Sequence, residues 1–93
     1  MKVKVLAVTG YNYLKNGERK EGMSLHVCTI DQLSESDGNG NFKYGNIVDS
    51  IFVPRTFKLD PNELIDFVGK EVELVYERQL GSRFDRLADI KPL

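Results

Sequence analysis

Alternating apolar and polar residues predict β-strands along most of this chain. Residues 2–11 alternate, with Val3, Val5 and Ala7 on one face, and residues 23–31 alternate again. Three further strands are predicted at residues 47–53, 70–77 and 83–90, the last two joined by a hairpin turn over residues 79–82.

Glycine and other turn-forming residues interrupt this pattern. Gly10 predicts a bulge near the end of the first strand, and residues 15–22 predict a basic hairpin loop bounded by Gly17 and Gly22. Residues 33–46 are dense in Ser, Asp, Gly and Asn, which predicts a long loop that carries Phe42 and Tyr44.

A short helix is predicted over residues 60–68. Asp60 is placed as the N-cap, Pro61 as the first helical residue, and Glu63 completes a capping box. Gly69 is placed to end the helix in the left-handed conformation, and Leu64 belongs to the apolar stripe.

The order of these elements predicts the fold class. Three strands, one helix and two strands make a mainly β protein, a five-stranded barrel of the oligonucleotide-binding (OB) type with its short helix between strands three and four. An SH3-like barrel is the second alternative. The length of 93 residues predicts one domain spanning residues 1–93.

The charge of the chain is unevenly distributed, although the net charge is only −1. Residues 1–20 carry five cations against Glu18 alone, a balance of +4, whereas residues 21–50 carry Lys43 against five carboxylates, a balance of −4. Such a division allows one basic face on a nearly neutral molecule.

No arrangement of residues predicts catalysis or a resident cofactor. His26 and Cys28 share a strand face, but the pair lacks the four ligands that a structural zinc needs, and we expect no enzyme activity, metal or cofactor. A single cysteine and the lack of an apolar leader or spanning segment predict a cytoplasmic protein without membrane contact.

The basic loop supplies the main candidate site. Cations spaced along it neutralise phosphates, and the neighbouring Tyr11 and Tyr13 offer flat rings for stacking on bases, which predicts a binder of single-stranded nucleic acid. The structural alternative is a solvated hairpin tip without a ligand. Arg86 on the last strand could contact nucleic acid or pair with a glutamate across the sheet.

Two blocks of sequence carry a resemblance to a known family. The first joins the loop to the second strand and includes Lys15, Gly17, Lys20, Gly22, Ser24, Leu25, Cys28, Thr29, Ile30 and Asp31; the second includes Leu80, Gly81, Ser82, Asp85, Arg86, Leu87, Lys91 and Pro92. On these residues the chain resembles the gene V-type single-stranded DNA-binding proteins of filamentous phages.

The resemblance implies a dimeric OB-like protein that binds single strands without marked sequence preference, in replication or transfer of a phage or mobile element. Lys15, Lys20 and Arg86 match the phosphate contacts of the family, but Met23 and Leu80 stand where the family has stacking aromatics. The predicted nucleic-acid-binding set is Tyr11, Tyr13, Lys15, Arg19, Lys20, Met23, Leu25, Leu80 and Arg86.

Two further expectations concern protein partners. We expect a homodimer, with contacts at Phe42, Tyr44 and Ile47, because a small sheet protein has edges and apolar side chains to cover. The alternative function is a protein–protein adaptor without nucleic-acid binding, in which Phe42, Tyr44 and Leu80 form an apolar docking patch.

Overall fold

The computed structural model describes residues 1–78 and 80–93, and over these residues the chain forms seven strands and one short helix. The predicted mainly β class is confirmed. The strands are β1 (Lys2–Lys15), β2 (Glu18–Thr29), β3 (Leu33–Ser36), β4 (Phe42–Gly45), β5 (Val48–Val53), β6 (Glu71–Arg78) and β7 (Asp85–Pro92), and the helix is α1 (Pro61–Ile65).

Five strands form one antiparallel sheet in the order β5-β2-β1-β6-β7, and β3 and β4 form a separate hairpin. The five-stranded sheet of the predicted barrel is present but does not close, because no backbone pairing joins β5 to β7 among the described residues. β5 is six residues long and is followed by Pro54, which has no N–H to extend the pairing. An ion pair between Lys58 and Asp89, 3.0 Å apart, bridges this open seam instead.

The helix is shorter than predicted and occupies a different place in the strand order. It follows the fifth strand of the chain rather than the third, because residues predicted as a loop form β3 and β4. Its local start is as predicted: the Glu63 backbone N–H donates to Asp60 Oδ1 at 2.9 Å, and the Asp60 N–H donates to Glu63 Oε1 at 3.4 Å. Gly69 has φ of 85°, and Leu64 is fully buried.

The predicted basic loop over residues 15–22 is mostly strand. β1 and β2 continue to a two-residue turn in which Asn16 and Gly17 have φ of 53° and 78°. Two successive positive φ angles match the right-handed twist of a tight hairpin, and Asn-Gly is the residue pair that adopts them most readily. The cations therefore lie on regular strands, and Gly22 is a strand residue rather than a loop boundary.

The predicted long loop over residues 33–46 contains a hairpin. β3 and β4 are joined by five residues whose turn is held by Asp37, because Oδ1 accepts from the Asn39 N–H at 2.7 Å and Oδ2 accepts from the Asn41 side-chain amide at 2.7 Å. The Asn46 side chain donates to the Thr29 carbonyl at 2.9 Å and so ties the base of this hairpin to β2.

The core lies between the main sheet and α1. It consists of Val3, Val5, Leu25, Val27, Val53, Leu64, Val72, Leu74, Leu87 and Ile90. The predicted bulge at Gly10 is wrong in position, since the register with β2 shifts between Val5 and Ala7. This shift reverses the alternation, so that Val8 packs against the core in place of Ala7.

The two halves of the main sheet meet along a short join. β1 pairs with β6 at three positions only, Lys2 to Lys4 against Glu71 to Glu73. Two further backbone hydrogen bonds link β1 to the loop before β6. The Val5 N–H donates to the Lys70 carbonyl at 3.0 Å, and the Gly69 N–H donates to the Val5 carbonyl at 2.8 Å.

Candidate nucleic-acid interface

The side of β1, β2 and β5 that faces away from the core carries the candidate site, which we call the outward face. Cross-strand pairs place side chains on it together: Tyr11 with Gly22, Tyr13 with Lys20, Lys15 with Glu18, and Ser24 with both Thr9 and Phe52. The outward face comprises Thr9, Tyr11, Tyr13, Lys15, Glu18, Lys20, Gly22, Ser24, His26, Ser50 and Phe52.

Tyr11 lies flat across the backbone of Gly22. A Cβ atom placed on Gly22 would come within 2.5 Å of the Tyr11 hydroxyl oxygen and 2.6 Å of Cζ, so that only glycine leaves room for the ring. Aromatic rings that cover a cross-strand glycine fix strand register and adopt a defined orientation. One surface of the Tyr11 ring is thus held by the sheet, and the other is directed to solvent.

Tyr11 and Tyr13 form an exposed aromatic pair. Their ring centroids are 5.8 Å apart with the planes inclined by 36°, and the residues are 47% and 51% exposed. Base stacking on such rings depends little on sequence, because every base presents a π surface. The pair can accept successive bases of a single strand.

The predicted cations divide between the two sides of the hairpin. Lys15 and Lys20 share the outward face with the tyrosines, and Lys20 pairs with Glu18 at 3.0 Å. Arg19 projects from the opposite side, where its guanidinium donates to Asn12 Oδ1 at 2.7 Å. Arg19 is therefore not brought together with the tyrosine pair, whereas Lys15 and Lys20 are.

A polar row crosses the centre of the outward face. Thr9 Oγ1 lies 2.8 Å from His26 Nε2, and Ser50 Oγ lies 2.8 Å from His26 Nδ1. The row joins β1, β2 and β5, and its imidazole is held at both nitrogens. Because the imidazole is fixed in this way, the hydroxyl groups of Thr9 and Ser50 are already positioned before a ligand binds.

Two predicted contacts on β2 point toward the core. Leu25 is fully buried, so the prediction that it contacts nucleic acid is wrong. Met23 is half-buried and packs against the core opposite Gly10, on the side of the hairpin away from Tyr11. Both residues alternate out of phase with the tyrosines because of the register shift beyond Val5.

Leu80 and Arg86 belong to the β6–β7 hairpin, which does not share the outward face. Leu80 is fully exposed, and Phe84, in the same connection, is 80% exposed. Arg86 pairs with Glu77 across the hairpin at 3.5 Å. It also lines a shallow depression with Pro54 and Lys58 beside the open seam. The predicted turn over residues 79–82 includes Gln79, which lies outside the described residues.

Two exposed aromatics were missed by the sequence analysis. Phe52 is on the outward face because it pairs with Ser24, and Phe84 is exposed in the same connection as Leu80. Phe52 could have been found from the alternation of residues 47–53, in which it falls between the inward-facing Ile51 and Val53. Phe84 was included in the strand predicted over residues 83–90, but β7 begins at Asp85, so Phe84 lies in the connection before it.

The residues predicted for a dimer contact lie on or beside the β3–β4 hairpin. Phe42 and Tyr44 are 69% and 60% exposed, with ring centroids 5.7 Å apart and planes inclined by 43°. They share one side of the hairpin with Ser36 and Ser34. Ile47 is half-buried, and its backbone N–H donates to Thr29 Oγ1 at 3.0 Å.

Three ionisable groups are perturbed by their surroundings. Hydrogen bonds from the Asn41 side chain and from the Asn39 N–H lower the pKa of Asp37, and a hydrogen bond from Lys58 lowers the pKa of Asp89. Burial raises the pKa of the Tyr76 phenol, and the negative charge of Asp49 adds to this effect. None of these groups lies on the outward face, whose charged side chains are Lys15, Lys20 and Glu18.

Comparisons with protein-family models, curated proteins and solved structures find no match for this chain. Within residues 1–78 and 80–93, no three His, Cys, Asp or Glu side chains cluster closely enough to hold a metal ion together. The described part of the chain also contains no helix with the length and apolar character needed to cross a membrane.

Proposed function

We propose that this protein binds single-stranded DNA along the outward face, without marked preference for base sequence. One observation carries the proposal: the Tyr11 ring is spread over Gly22 beside Tyr13, with Lys15 and Lys20 on the same face of the same hairpin. Rings for bases and cations for phosphates are thus presented together.

These side chains lie on regularly paired strands that continue from the core, rather than on a loop. Leu25 and Val27 on β2 are buried, and β1 and β2 remain paired from the core to the Asn16-Gly17 turn. A rigid platform binds with a smaller loss of conformational entropy than a loop that must be ordered on binding. This supports stacking by Tyr11 and Tyr13 as the main source of affinity.

The order of the strands supports an OB-type relationship. β1 pairs with both β2 and β6, so that a three-stranded unit, β5-β2-β1, is continued by the β6–β7 hairpin, with α1 packed under β1. OB folds are partly open five-stranded barrels that bind oligonucleotides on their second and third strands and on two hairpin loops. In this chain those strands are β2 and β5, which supply His26, Ser50 and Phe52.

We extend the proposal to the setting implied by the gene V-type resemblance, replication or transfer of a phage or mobile element. Lys15 and Lys20 would contact phosphates, and Arg86 would do so only after release from Glu77. Tyr11 and Tyr13 take the stacking role for which Met23 is unsuited, and Phe84 is available at the hairpin where Leu80 replaces an aromatic.

We also propose a homodimer through the β3–β4 hairpin. Phe42 and Tyr44 expose an aromatic surface on a two-stranded hairpin, and such hairpins are marginally stable in isolation. Burial of these rings against a second copy removes them from water, and Ile47 lies at the base of the hairpin. The same surface supports the second candidate function, a protein–protein adaptor that docks its partner on Phe42 and Tyr44.

Titration of labelled oligo(dT) at several salt concentrations tests DNA binding. Replacing both Lys15 and Lys20 with alanine flattens the log–log salt dependence by about 1.4, since each phosphate contact contributes about 0.7 for single strands. Tyr13→Ala reduces affinity by about 1–3 kcal/mol, as loss of base stacking does, and leaves the slope nearly unchanged.

Matched variants away from the outward face serve as controls. Replacing Lys43 and Lys70 with alanine changes the net charge by the same amount, and Tyr44→Ala removes a comparable exposed ring; neither change alters the slope or the affinity per chain. If the parent protein does not bind oligo(dT) at low salt, DNA binding is excluded and the adaptor function takes its place.

A further inference from the structure

The polar row on the outward face holds a histidine between two hydroxyl groups on different strands. His26 on β2 is the only histidine in the chain, and its two ring nitrogens each lie 2.8 Å from a hydroxyl oxygen, Thr9 Oγ1 on β1 and Ser50 Oγ on β5. None of the three side chains is needed for the core, which lies on the other side of the sheet.

The hydrogen-bonding capacity of this row depends on the charge of the ring. In a neutral imidazole one nitrogen donates and the other accepts. One hydroxyl oxygen therefore accepts a hydrogen bond from the ring N–H, while the other hydroxyl donates a hydrogen bond to the unprotonated ring nitrogen. Only one of the two O–H groups, on Thr9 or on Ser50, remains free to donate to a ligand.

Protonation of His26 changes the number of hydroxyl groups that are free to donate to a ligand. Both ring nitrogens of an imidazolium donate, so both hydroxyl oxygens accept from the ring. The O–H groups of Thr9 and Ser50 are then both free to donate outward, on either side of a positive charge. Two donors flanking a cation match the oxygens of a phosphodiester, to which charge-assisted hydrogen bonds are the stronger kind.

We propose that Thr9, His26 and Ser50 form a phosphodiester-binding site that is strengthened by protonation of His26. The inference rests on the proposed function, because it assigns the ligand of this row to the DNA backbone between the bases stacked on the outward face. Histidine is the side chain whose charge ordinarily changes between about pH 5 and 8.

The charged and titratable neighbours of His26 on this side of the sheet favour an anion. On β2 the same side carries Cys28, and on β1 Lys4 stands opposite Cys28. On β5 the neighbours of Ser50 are Val48 and Phe52, which carry no charge. Carboxylates on this side among the described residues include Glu18 at the far end of the β1–β2 hairpin and Glu71 on β6, which stands opposite Lys4. On β5, Asp49 lies next to Ser50 and accepts a hydrogen bond from the Ser50 backbone N–H at 2.8 Å.

Oligo(dT) binding measured from about pH 8 to about pH 5.5 tests the proposal, with His26→Gln as the main variant. Glutamine can hydrogen-bond to both hydroxyls but does not titrate. At about pH 8 the parent and His26→Gln bind with similar affinity. On acidification the affinity of the parent increases by up to about tenfold per pH unit, the limit for uptake of one proton, while that of the variant stays nearly constant.

A spectroscopic measurement separates binding from a structural effect. Because the chain has a single histidine, its ring signal in an NMR titration is unambiguous, and saturating oligo(dT) moves the midpoint of that titration to higher pH. The salt slope of the parent becomes steeper by about 0.7 at the acidic end, as one added phosphate contact requires. Ser50→Ala removes one of the two hydroxyls and reduces the increase in oligo(dT) affinity on acidification. Cys28→Ser, the control, leaves this increase unchanged.

The outcomes distinguish the two levels of the proposal. If the parent binds oligo(dT) but His26→Gln and Ser50→Ala keep the full pH response, the phosphodiester site is wrong while DNA binding stands. If the parent fails to bind at low salt at any of these pH values, both the proposed function and this site are excluded.

Discussion

Two hairpins of this protein carry aromatic pairs of nearly the same geometry. Tyr11 and Tyr13 on β1 have ring centroids 5.8 Å apart, and Phe42 and Tyr44 on β4 have centroids 5.7 Å apart. In both pairs the rings occupy alternate strand positions and are tilted relative to one another. Ring geometry alone therefore does not distinguish a surface for bases from a surface for protein.

The surroundings of the two pairs differ. The tyrosines face Lys20 and Gly22 on a hairpin continuous with the core, whereas Phe42 and Tyr44 face Ser36 and Ser34 on a hairpin that pairs with no strand of the main sheet among the described residues. The chemistry of the cross-strand partner, and the support beneath the hairpin, decide which ligand each pair suits.

The largest expected effect is a difference in stability between variants of the β1–β2 hairpin and variants of the β3–β4 hairpin. Leu25→Ala, in the buried half of β2, lowers the free energy of unfolding by about 2–5 kcal/mol, because it leaves a cavity in the core. Phe42→Ala lowers it by less than about 0.5 kcal/mol at low protein concentration, since the ring is largely exposed. Chemical denaturation of both variants measures the difference.

Sedimentation of the same proteins sharpens the contrast. If Phe42 lies in a dimer contact, Phe42→Ala reduces the mass of the parent to that of one chain at concentrations where the parent is dimeric. A parent that sediments as a single chain at every concentration contradicts the dimer. An equal loss of stability in the two variants would show that the β3–β4 hairpin is part of the cooperative core.

A second, smaller effect concerns the support of the tyrosine pair. In Gly22→Ala the added Cβ displaces the Tyr11 ring, and the affinity for oligo(dT) falls by about 1–3 kcal/mol, the range found for loss of one stacked base. Upfield shifts of the Gly22 α-protons in NMR spectra report the ring in the parent and are absent in Tyr11→Ala.

Gly10→Ala is the matched control for that substitution. A Cβ on Gly10 meets its first neighbour at 3.6 Å, an ordinary contact, and leaves the Tyr11 ring in place. Equal losses of affinity in Gly10→Ala and Gly22→Ala would mean that strand flexibility, rather than the position of Tyr11, controls binding.

The smallest expected effect is a pH dependence of the stability of the β3–β4 turn, which the β1–β2 turn does not share. The pKa of Asp37 is lowered mainly by the hydrogen bond from the Asn41 side chain, so the folded turn favours the carboxylate. Its contribution is complete above the pKa of an unfolded aspartate, near 3.9. It is lost as the pH falls through the lower value of the folded turn.

NMR spectra recorded from about pH 6 to about pH 2 measure this change, because the amide signals of Asn39 and Asn41 shift as the hydrogen bonds to Asp37 are lost. The Asn16-Gly17 turn is formed by backbone conformation and serves as the internal reference. Asp37→Asn removes the pH dependence. Parallel acid-induced shifts at both turns would indicate general unfolding rather than titration of Asp37.

Features that depend on neighbouring residues in the sequence were predictable. The capping box of Asp60 and Glu63 involves contacts within one segment and is as predicted. Gly69 has the predicted left-handed conformation, although the helix itself ends at Ile65. The inward positions of Val72 and Leu74 followed from simple alternation. The structure places Lys15, Lys20, Tyr11 and Tyr13 on one face of the β1–β2 hairpin, whereas Arg19, equally close in the chain, projects from the opposite side.

Features that depend on pairing between strands were not predictable from one strand at a time. The register shift after Val5 is visible only when β1 is aligned with β2, and it decides that Tyr11 and Tyr13 face away from the core. Phe52 joins the outward face through its pairing with Ser24. The Asn16-Gly17 turn was available as a signal, but the glycine at position 22 favoured a longer loop.

The three-position join between β1 and β6 has a consequence for how fast the chain folds. The β1–β2 and β6–β7 hairpins close over short distances in sequence, whereas the join brings Lys2 to Lys4 against Glu71 to Glu73, about three-quarters of the chain length away. Closing so large a loop costs entropy before many contacts are gained. We therefore expect the two hairpins to form early and the encounter that completes this join to limit the rate of folding.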